Sequence, residues 1–271
     1  TKTLDLGASL FQSCVKLDTV GLSKSVAEIG TAFADCFSIR SFTVADDNEN
    51  FSSKLGDPIL YNKDQTAYMY IIGQLPAGEY VIPEGIQSIG DNVFKGQLGI
   101  TKVVIPRSMQ TIGNNAFYGC SLLETVIFEH STDKPSQLTQ KDSYGTNIFQ
   151  NCTSLKNVTL PGNMTEIPKM MFYYCSSLES IVIPYGVTSI GQDAFGYAGL
   201  KSVSIPATVQ TIGNYAFEAR KDEGKLASLT FEKEADGSTA LKSIGNVAFK
   251  YQCFPTVEIP KSVKDIGNGS F

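Results

Sequence analysis

Six cysteines at regular intervals are the first residues in this chain whose chemistry could matter. Each follows a phenylalanine by three residues, or by four in the last case: Cys14, Cys36, Cys120, Cys152, Cys175 and Cys253. A zinc site needs closely spaced ligands such as C-x-x-C, and the sequence contains no such pair. One cysteine per interval is typical of small side chains stacked in a core. We therefore expect free thiols, with a disulfide between neighbouring rungs such as Cys152 and Cys175 as the alternative.

The single histidine, His130, lies in a polar run that extends to Asp133. Nucleophilic catalysis needs an imidazole that a partner orients and that lies beside the nucleophile. Paired carboxylates could hydrolyse a glycoside, but the pattern implies no cleft and the chain has no tryptophan to stack on a sugar. The run around His130 has the composition of a solvated turn. The sequence thus predicts neither a catalytic site nor a cofactor.

An acidic run, Asp46-x-Asn48-x-Asn50, has the spacing that opens a calcium-binding loop. Such a loop needs glycine at its sixth position and a bidentate glutamate at its twelfth. In this chain those positions hold Phe51 and Asp57. We therefore expect a solvated acidic loop and no metal site.

The charge balance of the chain excludes some classes of partner. The formal net charge is −5 and the isoelectric point is about 5.0, whereas a protein that binds nucleic acid presents a basic face. No run of 18 or more apolar residues occurs, so the sequence predicts no membrane-spanning segment in this chain. Apolar residues make up 42% of the total, which is enough for a continuous core.

One apolar template recurs along the whole chain. The stretch from Leu178 to Phe217 contains it twice, as L-x-x-(V/I)-x-I-P-x-x-V-x-x-I-G-x-x-A-F. Its closing phenylalanine occurs at ten positions: Phe11, Phe33, Phe94, Phe117, Phe149, Phe172, Phe195, Phe217, Phe249 and Phe271. Most steps are 22 or 23 residues, and three are longer, at 61, 32 and 32 residues. Because a fixed period of this length is the signature of a solenoid, we predict a single solenoid of about ten units over residues 1–271.

Each unit contains a strand signal and a turn signal. The L-x-x-V-x-I part alternates apolar positions and is rich in β-branched residues, which favours a short strand. The V-x-x-I-G part crosses to the opposite face, where we expect its glycine to need a positive φ. The N-x-A-F-x-x-C part predicts one helical turn, with Asn or Asp capping its N–H groups. Stacked units would give a parallel β-sheet on one face and short helical turns on the other.

Three interruptions depart from the template. Residues 45–79 hold two β-rich runs on either side of Asn62, which predicts a hairpin in place of one unit's helical side. Polar insertions cover residues 129–146 and 232–239. Insertions in a repeat array map to loops on one face, often the binding face, although tolerated surface elaboration explains them at least as well. Both ends of the chain fall inside a unit, so we expect a fragment of a longer protein.

The middle residue of each strand should point away from the core, because side chains alternate across a strand. The column of these residues includes Val81, Val104, Ile127, Thr159, Val182, Ser204 and Thr230, and the neighbouring column includes Lys102 and Thr125. Val81, Val104 and Ile127 are apolar where solvent favours polar residues, and exposed apolar patches often mark interaction sites. The same β-branched residues would also stabilise a parallel sheet that has no partner. With both interpretations open, this column is the candidate partner-binding surface.

The template C-x-x-L-x-x-V-x-I-P-x-x-V-x-x-I-G-x-x-A-F resembles the BspA-like leucine-rich repeats of bacterial surface proteins. Residues 80–271 match it well, residues 4–44 match in degraded form, and Ile59–Pro83 resembles a variant unit of such proteins. The resemblance implies a secreted or surface-anchored protein, in several cases an adhesin for host or bacterial proteins. We therefore expect non-enzymatic recognition of an extracellular or cell-surface protein through the strand face and the insertions. The alternatives are a structural spacer that presents another domain and, more distantly, an enzyme.

Overall fold

The computed structural model describes residues 4–7, 9–30, 32, 33, 36, 38–54, 57–130, 136–138 and 143–271. Over these residues the repeats form a parallel β-solenoid of about 11 turns. The strands of this part are β1 Leu4–Asp5, β2 Thr19–Leu22, β3 Val26–Glu28, β4 Ser41–Val44, β5 Phe51–Ser53, β6 Ile59–Asn62, β7 Ala67–Ile71, β8 Gly78–Val81, β9 Ser88–Ile89, β10 Ile100–Ile105, β11 Thr111–Ile112, β12 Thr125–Phe128, β13 Asn157–Thr159, β14 Glu166–Ile167, β15 Ser189–Ile190, β16 Ser202–Ile205, β17 Thr211–Ile212, β18 Ser228–Phe231, β19 Ser243–Ile244 and β20 Asp265–Ile266.

The L-x-x-V-x-I segments form one face of the solenoid, which we call the strand face. On it, β8, β10, β12 and β13 pair side by side, β2 pairs with β4, and β16 pairs with β18, all in parallel. The register keeps equal template positions together, since Val103 pairs with Val126 and Val126 pairs with Val158. Residues of one template position therefore form columns that cross the strands.

The V-x-x-I-G segments form a second parallel sheet, built largely from two-residue strands. Ile89 pairs with Ile112 in one part of it. A second part aligns the isoleucines of five further coils in one column: Ile167, Ile190, Ile212, Ile244 and Ile266. These isoleucines are buried from Ile89 to Ile244, so the second sheet closes the core opposite the strand face.

The predicted helical turns are absent, and the described residues contain no helix. From Phe94 to Phe249, each A-F segment is a run of tight turns whose N–H groups donate to the next coil. Examples are Asn115 N to Thr146 O at 2.9 Å, Phe117 N to Ile148 O at 2.9 Å and Gly119 N to Gln150 O at 2.8 Å. Asn115 and Gly119 have φ values of 53° and 69°. A residue in this left-handed region interrupts a helix, and the bonds between coils use N–H groups that a helix would need. The prediction of helical turns was therefore wrong. We call this side the turn face.

The glycines of the I-G pairs are required for a reason other than the expected one. Five of them, at Gly113, Gly191, Gly213, Gly245 and Gly267, do not have a positive φ. A Cβ on Gly213 would lie 2.6 Å from the backbone nitrogen of Gln192 in the preceding coil, and the other four would meet a backbone nitrogen at 2.4 to 2.6 Å. The expectation of positive φ was wrong at these five positions, because close approach between successive coils selects glycine there.

The closing phenylalanines stack into a ladder through the core. From Phe94 to Phe249, successive rings are nearly parallel and their centroids lie 4.6 to 5.8 Å apart. Parallel, closely spaced rings gain contact enthalpy beyond the area that they bury. The ladder is therefore a main source of the regular spacing between coils.

Residues 51–71 replace a regular unit. Strands β5, β6 and β7 pair antiparallel, and β7 then pairs parallel with β9. The phenylalanine ladder is interrupted at this point, where Tyr70 packs against Phe33 and Tyr68 packs against Phe94, with 6.1 Å between centroids in each case. The buried core likewise divides into two clusters that meet at the hairpin.

Candidate functional site

The strand-face column is exposed in some units and covered in others. Val182 and Val81 are 81% and 55% exposed. The rest of the column and its neighbour divide into exposed and half-buried residues: Thr159, Ser204 and Thr230 are exposed, and Ile127, Lys102 and Thr125 are half-buried. The column is therefore a mixed surface rather than a uniform apolar stripe.

Val104 is buried, at 8% exposed, so the expectation that it faces solvent was wrong. It pairs in register with Val81 on one side and with Ile127 on the other. Because neighbouring strands lie about 4.8 Å apart, the two branched side chains beside Val104 cover it. A residue in the middle of a well-paired column thus loses the exposure that alternation alone predicts.

Ion pairs between successive coils border the column. Lys102 Nζ lies 3.0 Å from Glu79 Oε1, and Lys201 Nζ lies 2.7 Å from Glu179 Oε2. The hydrogen bond and the charge of Lys201 lower the pKa of Glu179. Exposed pairs of this kind contribute little to stability, but they place paired charges beside the uncharged residues of the column.

The hydrogen-bonded ladder of the strand face is interrupted at the unit that contains Val182. The backbone of Ser180–Ile183 forms no ladder hydrogen bonds with the described strands on either side, β13 and β16. Val182 therefore lacks the close lateral neighbours that cover Val104. Tyr185, two residues beyond this segment, is 64% exposed.

The insertion at residues 232–239 lies against this open unit. Tyr185 Oη donates to Glu234 Oε1 at 2.8 Å, and Ser204 Oγ donates to Glu232 Oε1 at 2.7 Å. The hydrogen bond and the charge of Glu234 raise the pKa of Tyr185. We call Val182, Tyr185, Ser204, Glu232 and Glu234 the Val182 patch. It joins an apolar centre to a polar rim.

Sequence reasoning missed a tyrosine cluster on the turn face. Tyr173, Tyr174 and Tyr197 pack with ring centroids 4.6 to 5.4 Å apart, and the Arg220 guanidinium lies 5.3 Å from the Tyr174 ring. Burial raises the pKa of Tyr173 to about 12. Tyrosine and arginine are enriched among the residues that dominate protein interfaces. The available signal was the tyrosine that follows the closing phenylalanine by one or two positions in successive units.

The Asn48 side chain makes hydrogen bonds to the backbone of its own and the preceding coil. Its side chain is fully buried, and its amide nitrogen donates to the carbonyls of Ser23 and Val26 at 2.8 and 3.1 Å. Its Oδ1 accepts from the N–H groups of Asn50 and Phe51, both at 2.8 Å. The expectation of a solvated loop was therefore wrong at this residue, because its side chain satisfies backbone groups of two coils.

His130 is exposed, and its Nδ1 lies 2.9 Å from the carbonyl oxygen of Phe128 two residues earlier. The polar residues 131–133 that follow it lie outside the described residues, as do 134, 135 and 139–142 of the same insertion. Of this insertion's described part, Leu138 is buried in the core.

The cysteines are free thiols, as predicted. In the buried ladder, each thiol donates to the phenylalanine carbonyl of the preceding coil: Cys120 to Phe94 at 3.0 Å, Cys152 to Phe117 at 3.2 Å and Cys175 to Phe149 at 3.2 Å. Burial raises the pKa of the Cys152 and Cys175 thiols, so both stay protonated and act as donors between coils rather than as nucleophiles. Cys14 and Cys253 are exposed. The prediction that every cysteine is buried in the core was therefore wrong for these two.

The described residues contain no group of three or more His, Cys, Asp or Glu side chains that could hold a metal ion. No helix long and apolar enough to cross a membrane occurs in the same part of the chain.

Stacked parallel sheets, a phenylalanine ladder and glycines at the points of closest approach define a leucine-rich-repeat solenoid. The family model described as BspA type Leucine rich repeat region matches six copies over residues 1–55, 87–223 and 225–271. The chain therefore belongs to the family of BspA-type leucine-rich repeats.

Two solved structures share this fold. A leucine-rich repeat protein from Eubacterium ventriosum is similar with a TM-score of 0.59 at 23% identity, over 94% of this chain and 58% of that one. A leucine rich cell surface protein from Faecalibacterium prausnitzii is similar with a TM-score of 0.50 at 21% identity, over 86% of this chain and 65% of that one. The chain thus spans less than two thirds of the length of either protein, and no curated protein matches its sequence.

Proposed function

We propose that this chain is a non-enzymatic recognition module that binds a protein partner through the strand face. We place it in an exported or surface-anchored bacterial protein, where the contact would serve adhesion. Members of this repeat family are often surface proteins that take part in protein interactions, and the similar chain from Faecalibacterium prausnitzii is described as a cell surface protein. An acidic chain with a net charge of −5 favours a protein partner over nucleic acid.

The Val182 patch is the observation that carries this proposal. Val182 and Tyr185 lie three residues apart in the chain and are 81% and 64% exposed, and a partner that covered them would remove apolar and aromatic surface from water. Glu234 and Glu232 accept hydrogen bonds from Tyr185 and Ser204, and polar groups beside an apolar centre are the usual anatomy of a protein interface. Thr159 and Thr230 extend the same uncharged column on either side.

The test is direct binding of purified extracellular-matrix and plasma proteins to the immobilised chain. Val182→Glu places a charge at the centre of the patch, where its side chain needs no space in the core. We expect it to weaken capture at least tenfold, which is the effect of losing about 1.4 kcal/mol of binding free energy.

Tyr251→Ser is the matched control, because Tyr251 is 42% exposed and follows the closing Phe249 on the turn face. Circular dichroism would establish that both variants fold. Equal loss in both variants would contradict binding at the strand face.

A spacer that holds another domain away from the cell is the second candidate function. The in-register sheets and the ring ladder favour it, since regular stacking gives a stiff rod in which each unit contacts its neighbours. If the wild-type chain captures none of the proteins in the panel, the spacer becomes the better explanation.

A further inference from the structure

Among the described residues, the stack of turns on the turn face is interrupted beside the hairpin. From the turn that contains Phe94 to the turn that contains Phe249, each turn donates two or three N–H groups to the carbonyls of the next turn. Asn92 N and Phe94 N, for example, donate to Asn114 O and Ala116 O at 2.9 and 2.7 Å. The hairpin unit has antiparallel strands where a turn would lie, so the turn that contains Phe94 has no regular turn before it.

Within the described part of the chain, backbone groups of both flanking turns have no hydrogen-bond partner at this interruption. In the Phe94 turn, the carbonyls of Asp91 and Val93 hold the template positions of Asn114 and Ala116, and neither accepts a hydrogen bond from any described residue. On the other side, the N–H of Phe33 has no acceptor among the described residues. Val93 is 5% exposed, and an unpaired carbonyl at such a position is costly.

A cavity of about 250 Å³ lies between the two turns. We call it the turn notch, and Gln12, Gly30, Tyr70, Gly73, Asp91 and Val93 are among the residues that line it. Hydrogen bonds fix the residues at the base of the notch. Tyr70 Oη donates to Phe33 O at 2.7 Å. The Gln97 side chain donates to Gly73 O and accepts from Leu75 N, both at 2.7 Å. The core beneath the notch is thus already packed, and the groups left to be paired in the notch are main-chain groups.

We propose that the turn notch binds one segment of a partner polypeptide, which takes the place of the missing turn. The groups that it offers define the chemistry of this occupant. Two carbonyls at alternate residues require N–H donors two residues apart, and the N–H of Phe33 requires a carbonyl on the opposite edge of the segment. Addition of a segment to an open edge by main-chain hydrogen bonds is a common mode of peptide recognition.

The probe is a peptide with the sequence of a regular turn of this chain, residues 112–119 (Ile-Gly-Asn-Asn-Ala-Phe-Tyr-Gly). In its own coil, this segment donates from the N–H groups of Asn115, Phe117 and Gly119. Titrated into the isotope-labelled chain, it should shift the amide signals of Phe33, Gly73 and Asn92 in a saturable way. An analogue that is N-methylated at its Asn115 and Phe117 positions keeps the side chains but lacks the donors, and should bind at least about tenfold more weakly.

Gln12→Trp is the blocking variant, because Gln12 is exposed at the mouth of the notch. Gln150→Trp is its control, since Gln150 likewise follows a closing phenylalanine by one residue but belongs to an intact turn. We expect loss of the shifts in the first variant and their retention in the second.

Equal binding of the methylated peptide, equal loss in both variants, or absence of saturable shifts would overturn the proposal. Dimerisation that Gln12→Trp abolishes would overturn it in favour of a second copy of the chain. The notch lies on the turn face, so a strand-face variant such as Val182→Glu should leave peptide binding unchanged.

Discussion

At the scale of single residues, the neighbouring coil decides what each template position does. Val104 and Val182 occupy the same position, yet one is 8% and the other 81% exposed, because one has paired neighbours on both sides. A buried cysteine is a small apolar residue whose thiol also donates a hydrogen bond to a phenylalanine carbonyl of the preceding coil. The I-G glycine is present because backbone of the preceding coil occupies the space of a side chain.

Gly213→Ala should lower the free energy of unfolding by about 2 kcal/mol, the usual effect of forcing a methyl group into filled space. The added Cβ would lie 2.6 Å from Gln192 N, and the coils would have to separate. Urea unfolding measures the change.

Gly162→Ala is the control for this prediction. Its added Cβ would have its nearest contact at 3.9 Å, from His130, so it should be neutral or stabilise by up to about 1 kcal/mol. A Gly213→Ala variant as stable as Gly162→Ala would contradict the role of close approach.

At the scale of elements, hydrogen bonds between coils replace those within an element. The turns carry left-handed residues such as Asn115 and Asn147, and their N–H groups point along the solenoid axis. The paired strands of the strand face follow the same rule, but the ladder is open at residues 180–183 and again at residues 254–259. Local opening is easiest where backbone hydrogen bonds are few.

The amide of Val182 should therefore exchange with solvent faster than that of Ile127, which holds the same template position in β12. We expect a ratio of about tenfold or more under native conditions, measured by hydrogen exchange with NMR detection. Equal protection of the two amides would show that the ladder is closed at Val182 in solution.

At the scale of the whole molecule, the hairpin divides the core into two clusters. Strand β6 contributes to both, with Leu60 in the amino-terminal cluster and Ile59 and Tyr61 in the larger one. In a repeat array, stability is approximately a sum of unit and interface terms. A junction with a changed core is therefore a natural boundary between two cooperative parts.

Phe42→Ala should destabilise the amino-terminal part by about 3 kcal/mol, since Phe42 is buried in that cluster alone. Hydrogen exchange with mass-spectrometric detection should show faster exchange in residues 19–30 and unchanged exchange in residues 157–217. Phe172→Ala, in the larger cluster, should have the opposite pattern. Parallel increases in both regions for either variant would indicate a single cooperative unit.

The periodic apolar positions made the family, the strand segments and the buried phenylalanines predictable, because a core position must be apolar in every unit. The conformation of the turns that contain the closing phenylalanines could not be predicted from the apolar positions. The spacing N-x-A-F-x-x-C fits a helical turn and a stacked turn equally well, and the choice depends on whether the N–H groups find acceptors in the next coil. The exposure of Val104 and the open unit at Val182 likewise depend on lateral pairing, which the local sequence does not contain.

The sequence by itself determined that this chain is a solenoid of stacked units with a continuous apolar core, since period and apolarity are properties of residues and their order. The tertiary structure decided which surface residues are exposed, where the ladder of the strand face is open, and that a hairpin interrupts the stack of turns. Those features depend on distances between coils that are 22 or more residues apart in the chain, and contact across such a separation is set by packing rather than by local preference.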